Sequence, residues 1–319
     1  MRNDYPLVSI ITLNYNQLAV TCELLRSIQT LTYPNIEVLV ADNDSPVDPT
    51  AGIQALRYPN TRVIRTGANL GFAGGNNVAI RQARGAYLLL LNNDTEVTPD
   101  LIERLLEPFA TDDSIGVTAP KIRYHQSPDT IQYAGYTPMN QFTGQAWSIG
   151  THQIDKGQFD QGGLTPFAHG AAMMVRRDVV ERVGLLYDDY FLYYEELDWC
   201  WQIRRAGYNI YYQPSALVYH KESVTVGKSS PLKVYYQTRN RILFIRRNMT
   251  HPAQAVFFLY YALLAFPKNL LSYALTGQRD RLRAFWRGTV WHLSHTVPRP
   301  APPATQLTPI FQYDHADWH

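Results

Sequence analysis

Tyr87-Leu-Leu-Leu-Leu-Asn-Asn-Asp-Thr95 decides the fold. A run that is apolar on both faces belongs inside a parallel sheet covered on both sides, and such sheets bind ligands beyond the carboxyl ends of their strands. Asn92, Asn93 and Asp94 therefore emerge where an α/β enzyme places its chemistry. Asp94 is the first candidate for holding a metal ion or a phosphate.

The flanking sequence repeats the alternation. Residues 7–13 read as a short buried strand, and 18–30 as a helix with Leu18, Cys22, Leu25 and Ile28 on one face. Strands are expected at 36–41, 62–65 and 86–91, and helices at 76–83 and 99–110, the latter with Pro99 near its first turn. This β-α-β order predicts a doubly wound sheet. Residues 124–166 lapse into Gly, Gln, Ser, Thr and Pro with scattered aromatics, as in an insertion. The alternation resumes with a strand at 168–175 and a helix at 178–183, then an aromatic and acidic region at 187–206, then strands around 210–213 and 217–220. Beyond Lys228 the pattern is helical as far as Pro298, and Pro-Arg-Pro-Ala-Pro-Pro marks a loose tail. The expected division is 1–227, 228–298 and 299–319.

With 319 residues, 45% hydrophobic and 18% charged, the chain can bury a full core. Cys22 and Cys200 are the only cysteines and lack metal-ligand spacing, which excludes a disulfide framework or a zinc knuckle and fits a reducing cytosol. The N-terminus leads directly into a strand, so no leader segment is expected. The net charge of +2 hides an asymmetry: residues 1–220 carry 16 Lys+Arg against 23 Asp+Glu, and 221–319 carry 13 against 4. Because the basic residues of the second part are interleaved with apolar runs, they suit an anionic membrane surface better than nucleic acid. The longest run, 255–266, is interrupted by Pro267 and Lys268, short of the roughly 20 residues a spanning helix needs. A packed helix or a homodimer contact is the plainer alternative.

Three strand ends finish in polar clusters: Asn14-Tyr15-Asn16, Asp42-Asn43-Asp44-Ser45 and Asn92-Asn93-Asp94. Such residues also cap helices, but parallel strands would place all three on one rim. There Asp42 can accept hydrogen bonds from a nucleobase or ribose, and Asp94 can coordinate a cation bridging two phosphates. The run Gly67-Ala-Asn-Leu-Gly-Phe-Ala-Gly-Gly-Asn-Asn77 is neither a Walker loop nor a dinucleotide fingerprint, although amides at such a helix start can approach an anion. In Tyr193-Tyr-Glu-Glu-Leu-Asp-Trp199 a helix would gather Glu195, Glu196 and Asp198 in its first turn, where acids suit the dipole. Among Tyr193, Tyr194 and Trp199, one of these acids can have a raised pKa and take a proton from a hydroxyl. His220, at a strand end on the same rim, is a candidate third ligand for a divalent cation.

On these residues the chain resembles the inverting glycosyltransferases of family 2. The likeness runs through Val8-Ser-Ile-Ile-Thr-Leu-Asn-Tyr-Asn16, Ala41-Asp-Asn-Asp-Ser45, Asn69-Leu-Gly-Phe-Ala-Gly-Gly-Asn76, Leu91-Asn-Asn-Asp-Thr95, Gly170-Ala-Ala-Met-Met-Val-Arg-Arg177, Phe191-Leu-Tyr-Tyr-Glu-Glu-Leu-Asp-Trp-Cys200 and Val218-Tyr-His220. It covers roughly residues 6–225, and its nearest subgroup is rhamnosyltransferase-like. The resemblance implies the GT-A fold, a Rossmann-like, doubly wound and mostly parallel sheet, followed here by a helical C-terminal region. It implies a nucleotide-diphosphate sugar held by Thr12, Asn14, Asn16, Asp42, Asn43, Asn69, Gly71, Gly74, Asn76, Asn92 and Asn93. A divalent cation, Mg2+ or Mn2+, is implied at Asp94 and His220 with Asn92, which stands where the family's metal motif has its first Asp. The family's general base falls on Glu196, with Glu195 and Asp198 as neighbours that share the assignment. The acceptor implied is a glycan or polyprenyl-linked sugar, reached from the cytoplasm or the inner face of the membrane. Thymidine-diphosphate rhamnose is the first donor to test. A sugar-phosphate nucleotidyltransferase is disfavoured because residues 14–20 lack its Arg and Lys. A non-catalytic nucleotide-sugar-binding protein is the other alternative.

Overall fold

The computed structural model describes residues 5–221 and 230–301. The expected boundary at 227 and most of the Pro-rich tail lie outside the described residues. Strand β1 (Val8–Asn14) pairs in parallel with β2 (Ile36–Asp42) and β4 (Tyr87–Asn92), and β3 (Thr61–Arg65) adds to β2. All seven residues of β2 are buried, as are Leu88 to Leu91 of β4, so these strands form the covered parallel core that their apolar composition requires. Helices α1 (Leu18–Ile28), the short α2 (Thr50–Gln54) and α3 (Gly71–Gln82) supply its crossovers.

Beyond β4 the directions mix. A tight turn leads into β5 (Thr95–Val97), then α4 (Leu101–Thr111), β6 (Ile115–Tyr124) and β7 (Ser127–Tyr133). After β8 (Gly163–Leu164) come β9 (Ala172–Arg176), α5 (Arg177–Val183), α6 (Glu195–Arg205) and β10 (Asn209–His220). The ten-stranded sheet has the order β3-β2-β1-β4-β9-β6-β10-β5, with β7 and β8 at its side. β9 runs antiparallel to both β4 and β6, whereas β6 and β10 are parallel. β6 and β7 had no strand assignment in the sequence reading, and β10 is one strand with a shift of register between Gln213 and Leu217 rather than two.

The glycine run is not a loop ahead of a helix at 76; α3 starts at Gly71. Gly71 has φ +70°, and a Cβ there would lie 2.3 Å from the Phe191 carbonyl oxygen. A Cβ on Gly75 would lie 2.3 Å from Leu13 Cδ1. The glycines therefore let α3 approach β1 and the 191 turn closely. The first amides are already used: Leu70 N donates to Asn43 Oδ1 at 3.0 Å, Gly71 N to Asn69 Oδ1 at 3.0 Å and Phe72 N to Phe191 O at 2.5 Å. The expectation that they meet an anionic ligand is corrected accordingly.

The C-terminal region is helical as expected: α7 (Pro231–Asn248), α8 (His251–Tyr260), α9 (Phe266–Leu275) and α10 (Arg279–Ser294). Pro267 does not end the apolar run. A π-helical turn, Tyr261–Ala265, joins α8 to α9, and its wider backbone accommodates the missing N–H of Pro267. His251–Leu275 is thus 25 continuous helical residues whose most apolar 18-residue window has a mean hydropathy of 1.4, enough by length and composition to cross a membrane.

Candidate active site

Asp94 sits in the turn between β4 and β5, and His220 is the last residue of β10. Antiparallel pairing sets His220 opposite Thr95, and the Lys221 amide donates to the Asp94 carbonyl at 2.9 Å. Side chains 126 positions apart in sequence therefore meet, with His220 Nε2 3.1 Å from Asp94 Oδ1. Gln132 Oε1, from β7, lies 2.8 Å from His220 Nδ1. With Nδ1 placed to donate to Gln132 Oε1, Nε2 is the ring nitrogen turned towards the Asp94 carboxylate. In this nearly dry site the imidazole nitrogen and the carboxylate oxygen attract each other through a proton or a cation lying between them. Asn92 Oδ1 is buried close by with no hydrogen-bond partner. One carboxylate, one imidazole nitrogen and one orphaned amide oxygen suit Mg2+ or Mn2+. Among the described residues no three His, Cys, Asp or Glu side chains gather as a metal cluster, so the remaining ligands would be oxygens of the donor and water.

The acids at the start of α6 divide by environment. Glu195 and Glu196 line the same cleft as Asp94, Asn92 and His220, a cavity of about 790 Å³. Burial pushes the Glu195 carboxyl well above the usual range, helped by the charge of Glu196, and leaves its Oε2 without a partner. Burial also raises Glu196, to about 7. A carboxylate with a pKa near ambient pH and a place in the cleft wall is suited to accept a proton. Asp198 is elsewhere: fully enclosed, it accepts from Tyr190 Oη at 3.2 Å, Asn248 Nδ2 at 2.6 Å and Arg247 Nε at 3.2 Å. Its expected share in catalysis is corrected to a buried ion pair joining α6 to α7. Trp199 is likewise interior, its indole donating to Gly184 O at 2.8 Å. Since a base works deprotonated, we expect transfer to rise with pH through an acid limb near pH 7, the value to which Glu196 is raised. A pH profile of kcat/KM checks this, and a flat profile between pH 5 and 8 would contradict it.

The turn before α6 is unusual. Phe191, Tyr193 and Tyr194 have φ of 61°, 69° and 75°, left-handed values that cost non-glycine residues about 1–3 kcal/mol each. α7 holds them there. Asn240 Nδ2 lies 2.9 Å from the Tyr190 carbonyl and 2.7 Å from those of Leu192 and Tyr193, while Arg239 donates to Tyr190 O at 2.7 Å and to Asp189 O. Asn240→Ala should therefore destabilise the fold by about 2–4 kcal/mol, because it leaves buried carbonyls unpaired. We expect it also to lower kcat more than it raises donor KM, since the freed turn carries Glu196. Equal loss in both constants would argue against that positioning role.

Of the other expected donor contacts, Asn43, Asn69, Gly71 and Asn93 line the cleft. Thr12, Asn14, Asp42, Gly74 and Asn76 are buried in the fold, and Asn16 is exposed outside the cleft wall. Asp42 is wholly enclosed: it accepts from Asn14 Nδ2 and Ser45 Oγ, both at 2.6 Å, and faces Arg65 at 3.3 Å. Its carboxylate ties the first two strand ends together instead of offering a free acceptor to a nucleobase. Asn76 bonds its own helix at Phe72 O, 2.8 Å. Thr12 Oγ1 is buried without a partner, and Thr12 does not line the cleft.

The cleft also contains residues that the sequence reading missed. His169 lies between Tyr136 and His220, and burial lowers its pKa to about 3, so it is a neutral imidazole. Trp147, from the insertion, presents an exposed ring. Lys233 and Arg241 of α7 complete the opposite wall, and Arg241 has one buried Nη2 without a partner. No local motif marks these residues, because tertiary packing alone brings the insertion and α7 to the rim.

Comparison with known proteins agrees with this architecture. The family model for glycosyl transferase family 2 matches residues 9–184. The chain is 27% identical over 244 residues to N-acetylglucosaminyl-diphospho-decaprenol L-rhamnosyltransferase of Mycobacterium tuberculosis, covering 69% of this chain and 78% of that one. It is also 27% identical over 241 residues to the low-salt glycan biosynthesis hexosyltransferase Agl10 of Haloferax volcanii, 74% of each. Among solved structures, the mannosyltransferase PcManGT of Pyrobaculum calidifontis, in complex with GDP-Man and Mn2+, superposes with a TM-score of 0.58 at 16% identity, over 92% of this chain and 88% of that one. TarS 1–349 of S. aureus in complex with UDP-GlcNAc gives 0.55 at 16% identity, over 91% and 81%. The fold is GT-A with a helical C-terminal region, and the chain belongs to glycosyl transferase family 2, a family of enzymes that transfer sugars.

Proposed function

We propose that this transferase is metal-dependent and inverting, and that it moves a sugar, rhamnose first among candidates, from a nucleotide diphosphate to a lipid-linked glycan acceptor. The reading rests on one observation: Asp94, His220 and Asn92 share a single cleft with Glu196. Leu13, Tyr15, Asn43 and Asn69 line the end of the cleft at the β1 and β2 strand ends, where an aromatic face and amides suit a nucleoside. The diphosphate then lies towards Asp94. A divalent cation held by Asp94, His220 and Asn92 would neutralise the charge that gathers on the departing diphosphate. Glu196 takes the proton of the acceptor hydroxyl as that oxygen attacks the anomeric carbon from the face opposite the leaving group, and the configuration inverts. Glu195, kept neutral by burial, adds no second charge beside it. Trp147 and the Tyr193 and Tyr194 rings offer apolar faces on which sugar rings pack.

The mycobacterial and haloarchaeal relatives support the acceptor class through their names alone: one is named for a diphospho-decaprenol sugar and the other for glycan biosynthesis. A lipid-linked acceptor implies work at the inner face of a membrane, supplied with donor from the cytoplasm. Nucleoside diphosphate release, measured over a panel of donors with Mn2+, Mg2+ or chelator, tests the reading. Metal-stimulated release with one donor and an inverted product linkage by NMR are expected. Release that is indifferent to chelator would remove the metal from the proposal, and a retained configuration would remove the direct displacement.

A further inference from the structure

We propose that the outward face of α8 and α9, flanked by α10, seats the protein in the surface of an anionic lipid bilayer and so holds the mouth of the cleft beside membrane-embedded acceptors. The proposal rests on the cleft being the transfer site only for its last clause.

The helix from His251 to Leu275 has two apolar sides. Phe257, Tyr261 and Ala265 face inward and are buried, and Tyr261, Asn269 and Tyr273 line the cleft. The other side carries Leu259, Leu263, Leu264, Leu271 and Leu275, which are 57% to 85% exposed. Only 17% of its most apolar window is buried, and Lys268 is the single charge in the whole stretch. A helix that is apolar on its solvent side as well as its packed side is matched to an apolar medium, not to water.

Its inward contacts decide how it meets that medium. Tyr261, Asn269 and Tyr273 are spread along the helix and line the same cleft as Asp94 and Glu196. A spanning orientation would carry the cleft, with its carboxylates, into hydrocarbon. Lying in the interface plane keeps the inner side on the protein and gives the outer side to acyl chains.

Charge identifies the bilayer as anionic. Residues 230–301 carry eleven Lys+Arg and one acid, Asp280. Arg279, Arg283 and Arg287 are exposed on α10, four residues apart, and Trp286 of the same helix, half exposed, lies 5.9 Å from the Phe266 ring of α9. Cations with an interfacial tryptophan form the usual rim of a surface-bound helix. The same cations disfavour a second copy of the chain as the occupant, because a two-fold contact would bring like charges together with one acid per chain to answer them.

Sedimentation of the full chain with vesicles tests this. Binding to phosphatidylcholine vesicles containing phosphatidylglycerol, weakened by salt and poor with phosphatidylcholine alone, is expected. Leu259→Glu with Leu263→Glu should reduce that binding by about tenfold or more, while lipid-free nucleoside diphosphate release stays unchanged, since neither residue touches the cleft. Absence of vesicle binding at low salt overturns the proposal, as does binding that the double variant leaves intact. A lipid-free dimer by analytical ultracentrifugation that the double variant dissociates also overturns it, since a second copy would then own the face. Donor turnover without vesicle binding leaves the transfer reading standing and the bilayer face refuted. Face-dependent vesicle binding with no turnover towards any acceptor upholds the face and refutes the transfer reading instead.

Discussion

Glu196→Gln is expected to lower transfer by about 10²–10⁴-fold, the usual contribution of a positioned general base, while donor affinity stays unchanged. The amide has nearly the same shape, so the wall of the cleft and the start of α6 persist, but it has no lone pair basic enough to take a hydroxyl proton. Glu195 is the group best placed to substitute, and its surroundings oppose this. Burial holds it protonated, and although removing the Glu196 charge relieves part of that shift, desolvation is the larger cause and remains. The residual rate of the single variant should therefore fall only slightly further in the Glu195→Gln, Glu196→Gln double variant. Loss of the acid limb near pH 7 should accompany the loss of rate. Donor binding by calorimetry separates a missing base from a damaged site. Full turnover by Glu196→Gln would move the base to another residue.

The parallel half of the sheet was legible because its signal is local. Strands such as β2 and β4 are apolar on both faces and end in polar residues, and that pattern depends on no distant partner. The meeting of Asp94 with His220 could be placed on one rim but not in contact, since the contact is made by the short antiparallel β5 pairing with β10. Asp42 shows the opposite limit. A carboxylate at a strand end looks alike in sequence whether it faces a ligand or is enclosed by Asn14, Ser45 and Arg65. β6 and β7 were missed because their apolar residues, such as Ile122, Ile131 and Tyr133, are interrupted by Pro, Lys, Arg, Gln and Asp that find partners only in the folded protein. Lys121, for example, is buried against Asp155 at 2.9 Å.

The acid-bearing turn joins what was legible with what was not. Its aromatics and glutamates stand out in the sequence, yet their conformation belongs to Arg239 and Asn240, nearly fifty residues away on α7. Three left-handed residues in four would not persist in an isolated segment. The C-terminal helices thus do two things at once: they fix Glu196 through α7, and through α8 and α9 they close the cleft with Tyr261, Asn269 and Tyr273.

Asp94→Ala should lower kcat/KM by about 10²–10³-fold, the range for losing one electrostatic contact to developing charge, and should abolish the dependence of donor binding on Mn2+. Asp94 is the carboxylate that meets His220 in the cleft, so without it the amide oxygen and one imidazole nitrogen hold a divalent ion weakly. The fold should survive, because the Asp94 carbonyl still accepts from Lys221 N and the β5 to β10 pairing is backbone. Asp94→Asn keeps the shape and removes the charge, so an equal loss in both variants assigns the effect to charge and not to packing. Donor titrations with Mn2+ and with chelator read this without turnover. The wild-type curves should differ and the variant curves should coincide. Wild-type curves that coincide would take the ion away from this site, whereas a variant that keeps the wild-type response would assign its binding to groups other than Asp94.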